Sequence, residues 1–411
     1  MSDLVVSVIV VSRGRPEALK RCLMGISQLQ YGPFEVIVVA DPEGITAAQD
    51  SAFVSDLKLL PFDEANISAA RNLGLASAAG EVVAFIDDDA VPEPQWLRCL
   101  VAPAAQAEVA AMGGFVRGRN GISYQWKARN LDDLGEAHDL DIDPHQASVL
   151  TPPKGRAIKT EGTNMAFRRD VLVEMGGFDS AFHYFLDETD VNMRMARAGH
   201  ATALVPFAEV HHGYEANATR TATRVPRDLF DIGASWAVFQ RKHVGKVEHA
   251  DQWKRLRGEQ RKRLLHHMVA GGLEPRDVRR LMKRLDQGYS EGQKRPFGTS
   301  RLAAHPAEPF KPFPSETRTS TLIQTRPIRA KRDIKAARER VNNGEIVTLI
   351  NLSRTAMFHR TWFTSSGVWM QRGGIFGKSD RKMPFFYMTT RSRRLLKERT
   401  RVARQRGLSN E

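Results

Sequence analysis

Three adjacent aspartates, Asp87, Asp88 and Asp89, stand directly after an apolar run at residues 82–86. A short apolar run that ends in polar residues and prolines is typical of a buried strand leading into a loop. Side chains two residues apart on an extended chain point to the same side, so we expect Asp87 and Asp89 to face together and Asp88 to point elsewhere. Hard carboxylate oxygens suit Mg²⁺ or Mn²⁺, and such an ion can hold a diphosphate. The alternative is a solvated acidic turn.

Polar side chains also follow other predicted strands. Ligands of open α/β sheets bind beyond the carboxyl ends of the strands, so we expect these side chains to converge on one site. Each has a structural alternative, because an aspartate before a proline is a common turn residue and a histidine often serves in packing. The residues are Ser12, Arg13 and Arg15 after the first strand, Asp41 after the second, and His211 and His212 after the last.

The elements that position these residues alternate between strands and helices. Apolar strands that alternate with helices predict an α/β domain with a mostly parallel sheet. A predicted helix at 187–198 begins with Asp187 and Glu188 and stops at Gly199. The polar segment 118–153 predicts a loop or a lid. The predicted strands span residues 5–11, 34–40, 58–60, 82–86, 109–116 and 202–206.

The 411-residue chain joins an acidic front to a basic back. Residues 1–240 carry 21 Lys and Arg against 32 Asp and Glu, a net charge of −11, whereas residues 241–411 carry 40 against 15, a net charge of +25. A basic segment of this density favours partners that carry phosphates, either lipid headgroups or nucleic acid. A merely soluble charged surface is the alternative. The two cysteines exclude a disulfide framework and a Cys-based zinc site.

Composition also predicts a domain organisation. Residues 1–240 form the α/β domain, and 241–287 form a basic helical extension. Residues 288–340 are rich in Pro, Ser, Thr and Arg and predict a linker or a disordered segment. Residues 341–411 form a small basic region of unknown role with one isolated strand at 346–351. Because there is neither a signal peptide nor an apolar run of membrane-spanning length, we expect a cytoplasmic protein, peripheral on the inner face of the cell membrane.

Four motifs in order resemble the inverting glycosyltransferases of family 2. The resemblance covers about residues 7–213 and implies the GT-A fold, a mostly parallel Rossmann-like sheet flanked by helices, here with a basic, partly helical C-terminal extension. It implies transfer of a sugar from a nucleoside-diphosphate donor to a hydroxyl of a glycan or lipid-linked acceptor in cell-surface polysaccharide synthesis. The motifs read VSVIVVSRGRP, ARNLGLASAAGEVVAFIDDD, GTNMAFRRDVLVEMGGFD and DETDVNMRMARAG.

The resemblance also implies roles for individual residues. A divalent cation, Mn²⁺ or Mg²⁺, would bridge the donor's diphosphate, and it would be bound by Asp87, Asp89 and one of His211 and His212. Thr163 and Asn164 would shape the acceptor side. The residues implied to contact the nucleotide sugar are Ser12, Arg13, Asp41, Arg71, Asp87 and Asp88.

The acidic pair of the family, usually Glu-Asp, falls on Asp187 and Glu188 with the order of the two acids inverted. Inverting transfer needs a carboxylate that takes the proton of the acceptor hydroxyl while its oxygen attacks the anomeric carbon from the opposite face. The register makes Glu188 the base and Asp187 its substitute. Alternatively, the two acids only stabilise the first turn of a helix.

Two other functions remain open from the sequence. A nucleotidyltransferase of related fold also uses carboxylates at strand ends together with a metal ion. A non-catalytic protein would use its basic half to bind a membrane or nucleic acid, and it would bind neither metal nor donor. For the favoured transferase we expect an anionic membrane surface as a partner and not nucleic acid.

Overall fold

The computed structural model describes residues 4–213, 215–216, 218–298, 301–315 and 317–408. The strands are β1 (Val6–Ser12), β2 (Phe34–Ala40), β3 (Leu57–Pro61), β4 (Val82–Asp87), β5 (Ala90–Pro92), β6 (Val109–Arg117), β7 (Tyr124–Trp126), β8 (Arg129–Leu131), β9 (Ala137–Asp139), β10 (Ser148–Leu150), β11 (Ala157–Lys159), β12 (Asn164–Arg168), β13 (Ala201–His212), β14 (Ser320–Thr325), β15 (Ile346–Ser353), β16 (Arg360–Phe363) and β17 (Val368–Gly374). The helices are α1 (Pro16–Ile26), α2 (Pro42–Gln49), α3 (Ile67–Ser77), α4 (Trp96–Val101), α5 (Arg169–Glu174), α6 (Asp187–Arg197), α7 (Phe230–His243), α8 (His249–Val269), α9 (Pro275–Gly292), α10 (Ala330–Asn342) and α11 (Arg391–Arg406).

A ten-stranded sheet forms the centre of the front domain, in the order β10-β13-β6-β12-β4-β1-β2-β3, with β5 and β7 paired to β13 and β6. Strands β1 to β4 pair in parallel, and so do β6 and β13. The α/β prediction is confirmed, and every predicted strand is present. Strand β12 was not expected; it lies antiparallel between β4 and β6 and so places its first residues beside the end of β4.

Both faces of this sheet are buried, which explains why its strands are apolar throughout. Val8 of β1 points to the side covered by α1, where it packs in one core with Leu19. Its neighbour Ile9 points to the other side and packs in a second core with Leu75 of α3. The two cores hold β1 and β4 in register, so that the carboxyl ends of both strands lie side by side.

The segment 118–153, expected to be a loop or a lid, contains four short strands instead. Strand β7 extends the central sheet, whereas β8 and β9 join β11 in a separate antiparallel sheet. Helix α7 packs closely on α9 and crosses the boundary expected at residue 240. Among the described residues, no helix has both the length and the apolar character needed to cross a bilayer.

Residues 320–408 form a compact C-terminal unit, which corrects the expected division at 340. Strands β14, β15 and β17 pair in parallel and β16 is antiparallel to β17, so the strand at 346–351 is not isolated. Helix α10 covers one side of the sheet by placing Ala337 on Val347 and Leu349. Helix α10 is basic and has only a narrow apolar stripe, so its composition resembles that of a linker. For this reason the sequence analysis did not predict it.

The rest of the segment 288–340, expected to be a linker, lies along the front domain where the structure describes it. The backbone N–H of Phe313 donates to the carbonyl of Phe34 over 2.8 Å, and the two aromatic rings pack 5.4 Å apart. The C-terminal unit itself packs on β5 and α1, where Trp369 and Ile346 share a core with Val91. The back half of the chain is therefore attached to the front domain through apolar contacts.

Candidate active site

A cleft of about 660 Å³ opens where β1 and β4 end, walled by the segment before β12, the start of α6 and the small sheet. Its lining joins residues that are far apart in the chain. Of the residues predicted from the sequence, those that line the cleft are Ser12, Arg13, Arg71, Asp87, Thr163, Asp187, Glu188 and His212.

Asp87, Asp89 and His212 form a cluster whose ligand atoms lie within 4.8 Å of one another. His212 is the last residue of β13, which pairs with β5 directly after the aspartates. The Nδ1 atom of His212 lies 2.9 Å from Oε1 of Gln125, and its Nε2 atom lies 3.2 Å from Oδ1 of Asp89. When Nδ1 carries the proton and donates it to Gln125, Nε2 can serve as a metal ligand.

This donor set fits a divalent cation. Two electron-rich atoms 3.2 Å apart repel each other unless a proton or a metal ion lies between them. Neighbouring ligands of an octahedral ion with bonds of about 2.0–2.1 Å are about 3 Å apart, close to this separation. The Oδ1 atom of Asp89 is also buried, with Nε2 of His212 beside it. The carboxylates suit Mg²⁺ or Mn²⁺, and the imidazole nitrogen favours Mn²⁺ over Mg²⁺.

Asp88 points away from the cluster, as the alternation along the chain predicts, and does not line the cleft. It is buried, accepts a hydrogen bond of 2.7 Å from the Ser12 hydroxyl, and pairs with Arg15 at 2.5 Å. Arg15 also reaches Oδ2 of Asp89 at 3.2 Å. The sequence analysis placed Arg15 among the residues after the first strand but assigned it no role, although three adjacent acids call for a nearby cation. Asp88 therefore positions the loop, and its expected contact with the nucleotide sugar is not supported by its location.

Asp41 also lies outside the cleft lining. Its carboxylate accepts hydrogen bonds from the backbone N–H groups of Gly44, over 3.1 Å, and Gly14, over 2.9 Å. The first contact caps the start of α2, the role that a turn aspartate before a proline commonly takes. The second contact connects the loop after β1 to the end of β2 and so holds the backbone next to Arg13 in place.

Two further predicted site residues belong to the interior. His211 places Nε2 2.8 Å from Glu93 and its ring 5.0 Å from that of Trp369, so it faces the C-terminal unit and not the cluster. Asn164 donates to the carbonyls of Phe115 and Ala208 over 3.0 and 2.8 Å. Its Oδ1 accepts from the Trp96 indole over 2.7 Å, so its amide is fully used in the core. Adjacent residues of a strand face opposite sides, which separates His211 from His212, whereas Thr163 lies in the turn before Asn164, the first residue of β12.

Glu93, Glu209 and His211 form a second group close enough to hold a metal ion. Its carboxylates are already compensated by buried guanidinium groups. Arg406 binds Glu93 at two points, 2.8 and 2.9 Å, and Arg117 binds Glu209 at 2.5 and 2.9 Å. Two carboxylates that are each paired with an arginine leave little charge for a cation, so we interpret this group as structural.

Arg71 links the strand-end cluster to the acidic pair. Its Nη1 atom donates to Asp187 in a close ion pair, and Nη2 donates to the carbonyl of Gly162 over 3.1 Å. The same guanidinium lies 3.5 Å from Oδ1 of Asp87, and the Thr163 hydroxyl donates to the other oxygen of Asp87 over 2.5 Å. Arg71 therefore fixes the two carboxylates relative to each other.

Glu188 has a different partner from Asp187. The Nζ atom of Lys159 lies 2.8 Å from Oε1 of Glu188 and 2.9 Å from the hydroxyl of Thr189. Burial raises the pKa of Glu188, but the attraction of Lys159 outweighs it and lowers the pKa to about 2. Glu188 is therefore ionised at neutral pH and faces the cleft. The sequence analysis missed Lys159, because nothing in the short strand AIK indicates that its lysine reaches α6.

The backbone before the acidic pair is left-handed at two consecutive residues, Phe185 with φ 74° and Leu186 with φ 67°. Non-glycine residues rarely adopt this conformation, and it clusters at functional sites. The hydroxyl of Ser235 donates to the carbonyl of Tyr184 over 2.8 Å, and the N–H of Ile67 donates to that of His183 over 2.9 Å. These contacts stabilise the turn that directs the start of α6 towards the cleft. The residue types in this segment do not indicate a left-handed turn.

Residues 3–230 match the family model described as "Glycosyltransferase like family 2". The match spans more than half of the chain, and the chain belongs to this family. Together with the sheet order, family membership identifies the front domain as a GT-A fold.

Among curated proteins, the chain is similar to the glucosyl-dolichyl phosphate glucuronosyltransferase of Haloferax volcanii, with 30% identity over 43% of this chain and 56% of that protein. It is also similar to the pre-mycofactocin glycosyltransferase of Mycobacterium tuberculosis, with 26% identity over 59% and 49%. A third relative is the N-acetylglucosaminyl-diphospho-decaprenol L-rhamnosyltransferase of the same species, with 24% identity over 52% and 76%. The chain spans about half the length of the first two relatives.

A mannosyltransferase from Pyrobaculum calidifontis, solved in complex with GDP-Man and Mn²⁺, matches 72% of this chain and 73% of its own, with 18% identity and a TM-score of 0.39.

Proposed function

We propose that this protein is a metal-dependent, inverting glycosyltransferase that moves a sugar from a nucleoside-diphosphate donor to a hydroxyl of a lipid-linked glycan. The observation that carries the proposal is a cleft that Asp87 and His212 line on one side and an ionised carboxylate, Glu188, on another. Asp89 completes the cation-binding cluster from a buried position outside the cleft lining. Such a cleft can hold a diphosphate at one end and activate a hydroxyl at the other.

The cluster would bind Mg²⁺ or Mn²⁺ through the carboxylates of Asp87 and Asp89 and Nε2 of His212. When bound, the ion supplies positive charge that stabilises the departing nucleoside diphosphate. Arg71 and Thr163 orient Asp87, and Arg15 holds the loop of Asp88 and Asp89. Ser12 and Arg13 line the cleft beside them and are proposed to contact the nucleotide.

Glu188 is proposed as the general base. Its carboxylate takes the proton of the acceptor hydroxyl while that oxygen forms a bond to the anomeric carbon. The bond from the anomeric carbon to the diphosphate oxygen breaks on the opposite face, and its electron pair leaves with the diphosphate. Lys159 keeps Glu188 ionised and oriented. Asp187 is held by Arg71, and burial raises its pKa to about 7, so it is proposed as the substitute base.

A lipid-linked acceptor is favoured because dolichyl phosphate and diphospho-decaprenol occur in the names of two relatives. We extend this to cell-surface glycan synthesis at the cytoplasmic face of an anionic membrane, which the net charge of +25 on residues 241–411 would attract. Nucleic acid is not proposed as a partner.

Calorimetry with a panel of nucleoside diphosphates and their sugars, with and without Mn²⁺, tests the proposal. We expect one nucleotide sugar to bind only with the metal, and Asp89→Asn to abolish this binding. Asp50→Asn, at an exposed acid beyond the end of α2, is the matched control and should bind normally. Absence of binding under all conditions would refute the proposal, and release of pyrophosphate from a nucleoside triphosphate would favour a nucleotidyltransferase. Retention of the anomeric configuration in the product would refute inversion.

A further inference from the structure

The C-terminal unit exposes a group of large apolar side chains, called here the apolar patch: Phe358, Phe385, Phe386, Tyr387 and Met388. Phe385 is 75% exposed and Met388 is 77% exposed. Large exposed apolar groups that adjoin one another, unlike single ones, mark interaction surfaces. This patch takes no part in the cleft, whose lining contains none of its residues.

Direct contacts make the patch one continuous surface. The rings of Phe358 and Phe385 stack with their centroids 6.0 Å apart, although 27 residues separate them in the chain. Phe386 stacks on Phe376 at 5.3 Å, and the N–H of Tyr387 donates to the carbonyl of Phe376 over 3.0 Å. The folded chain therefore presents the aromatic rings together without burying them.

Cations border the patch. The Nζ atom of Lys378 lies 4.7 Å from the ring centre of Phe385, and that of Lys397 on α11 lies 5.0 Å from the ring centre of Tyr387. Residues 376–397 contain seven Lys and Arg and a single acid, Asp380. A protein partner would need an acidic rim around an apolar centre. A bilayer with anionic lipids offers both properties at once, because its headgroups are negative and its interface accommodates aromatic rings.

We propose that the apolar patch inserts into the interface of an anionic membrane, with Lys378 and Lys397 bound to lipid phosphates. Aromatic and methionine side chains would enter the boundary between headgroups and acyl chains, and the basic residues around them would supply the electrostatic attraction. This inference deepens the proposed function, because it locates the surface that would bring the protein to a lipid-linked acceptor. Docking itself does not depend on transferase chemistry.

Sedimentation of the full chain with vesicles of phosphatidylglycerol or of phosphatidylcholine alone tests docking. We expect binding to the anionic vesicles only, weakened by salt. The double variant Phe385→Ser/Met388→Ser should reduce the partition coefficient by about tenfold or more. Ile328→Ser is the matched control: Ile328 is 92% exposed outside the patch, and its replacement should change nothing. Equal binding of patch variant and wild type, or equal binding to both vesicles, would overturn the proposal.

A second variant, Lys378→Gln/Lys397→Gln, tests the same proposal independently in case the first variant misfolds. It keeps every apolar side chain and should still lower binding to anionic vesicles severalfold. Donor binding, measured in the same variants without vesicles, should stay at the wild-type level. Loss of vesicle binding with donor binding intact supports docking, whereas absent donor binding in the wild type would refute only the proposed function. A wild-type dimer that the patch variant dissociates, without vesicle binding, would show that a second copy occupies the patch.

Discussion

His212 presents Nε2 to Oδ1 of Asp89 across 3.2 Å, with the other nitrogen of its ring fixed by Gln125. His211 is the neighbouring residue, yet its ring points to the opposite side of β13 and contacts Glu93. The pair thus offers a natural comparison, because two identical side chains one residue apart serve different parts of the molecule.

We expect His212→Gln to weaken Mn²⁺ binding by about 10-fold or more and His211→Gln to leave it within about threefold of the wild type. The reason is that only His212 shares the cluster with Asp87 and Asp89. Mn²⁺ binding measured by electron paramagnetic resonance, without donor, checks the prediction. Equal losses in both variants would mean that the fold, and not the ligand, had been altered.

Replacing the proposed base should separate chemistry from binding. Glu188→Gln is expected to lower kcat by about 10²–10⁴-fold, because a neutral amide cannot take the acceptor's proton. Donor affinity should change little, since Glu188 is paired with Lys159 and not with the cluster. Steady-state kinetics and donor calorimetry check both parts. Glu174→Gln, at an exposed residue of α5, should behave as wild type.

Breaking the buried pair of Glu93 and Arg406 should destabilise the fold. Arg406→Met leaves the Glu93 carboxylate buried without its cation, and we expect a loss of about 3–5 kcal/mol in the free energy of unfolding. The double variant Glu93→Gln/Arg406→Met should lose less than the sum of the two single variants, because no uncompensated charge remains. Denaturant unfolding of the four proteins completes the cycle. Additive losses would show that the two side chains do not interact.

Acid should weaken the C-terminal unit through Glu398. Burial raises the pKa of Glu398, but Arg401, His359 and the hydrogen bonds of Ser379 and Gln371 outweigh it and lower the pKa to about 2. Because the pKa of Glu398 is lower in the folded protein, its carboxylate stabilises the fold at pH values above the unfolded-state pKa of about 4.5. This stabilisation disappears as the pH falls to about 2.

The Glu398→Gln variant makes this acid effect measurable. At pH 7 it should be less stable than wild type by about 3–4 kcal/mol, the value of a shift of this size. The difference in unfolding free energy should shrink steadily between pH 4.5 and 2. Tryptophan fluorescence during denaturant unfolding follows it, because Trp369 lies in the same unit. A difference that stays constant with pH would assign the effect to packing.

The sheet and the positions of the acids could be predicted from the sequence because they depend on local patterns. Apolar runs gave the strands of the front domain, and the alternation of side chains correctly separated Asp88 from Asp87 and Asp89. Contacts between distant segments left no such pattern. The lysine that reaches Glu188 and the arginine that reaches Glu93 come from positions 29 and 313 residues away. Asn164 lies in a motif of the family, but its neighbours in the core decide that it is a buried hydrogen-bonding residue.

The pairing of Glu93 with Arg406 also affects when this part of the protein can fold during synthesis. A ribosome adds about 5–20 residues per second, so the 313 residues between the two partners take roughly 15–60 s to synthesise. During this interval the nascent front domain carries a carboxylate whose buried position is costly without its cation. We therefore expect the edge around β5 and His211 to stay loosely packed on the ribosome and to close only after α11 has been made.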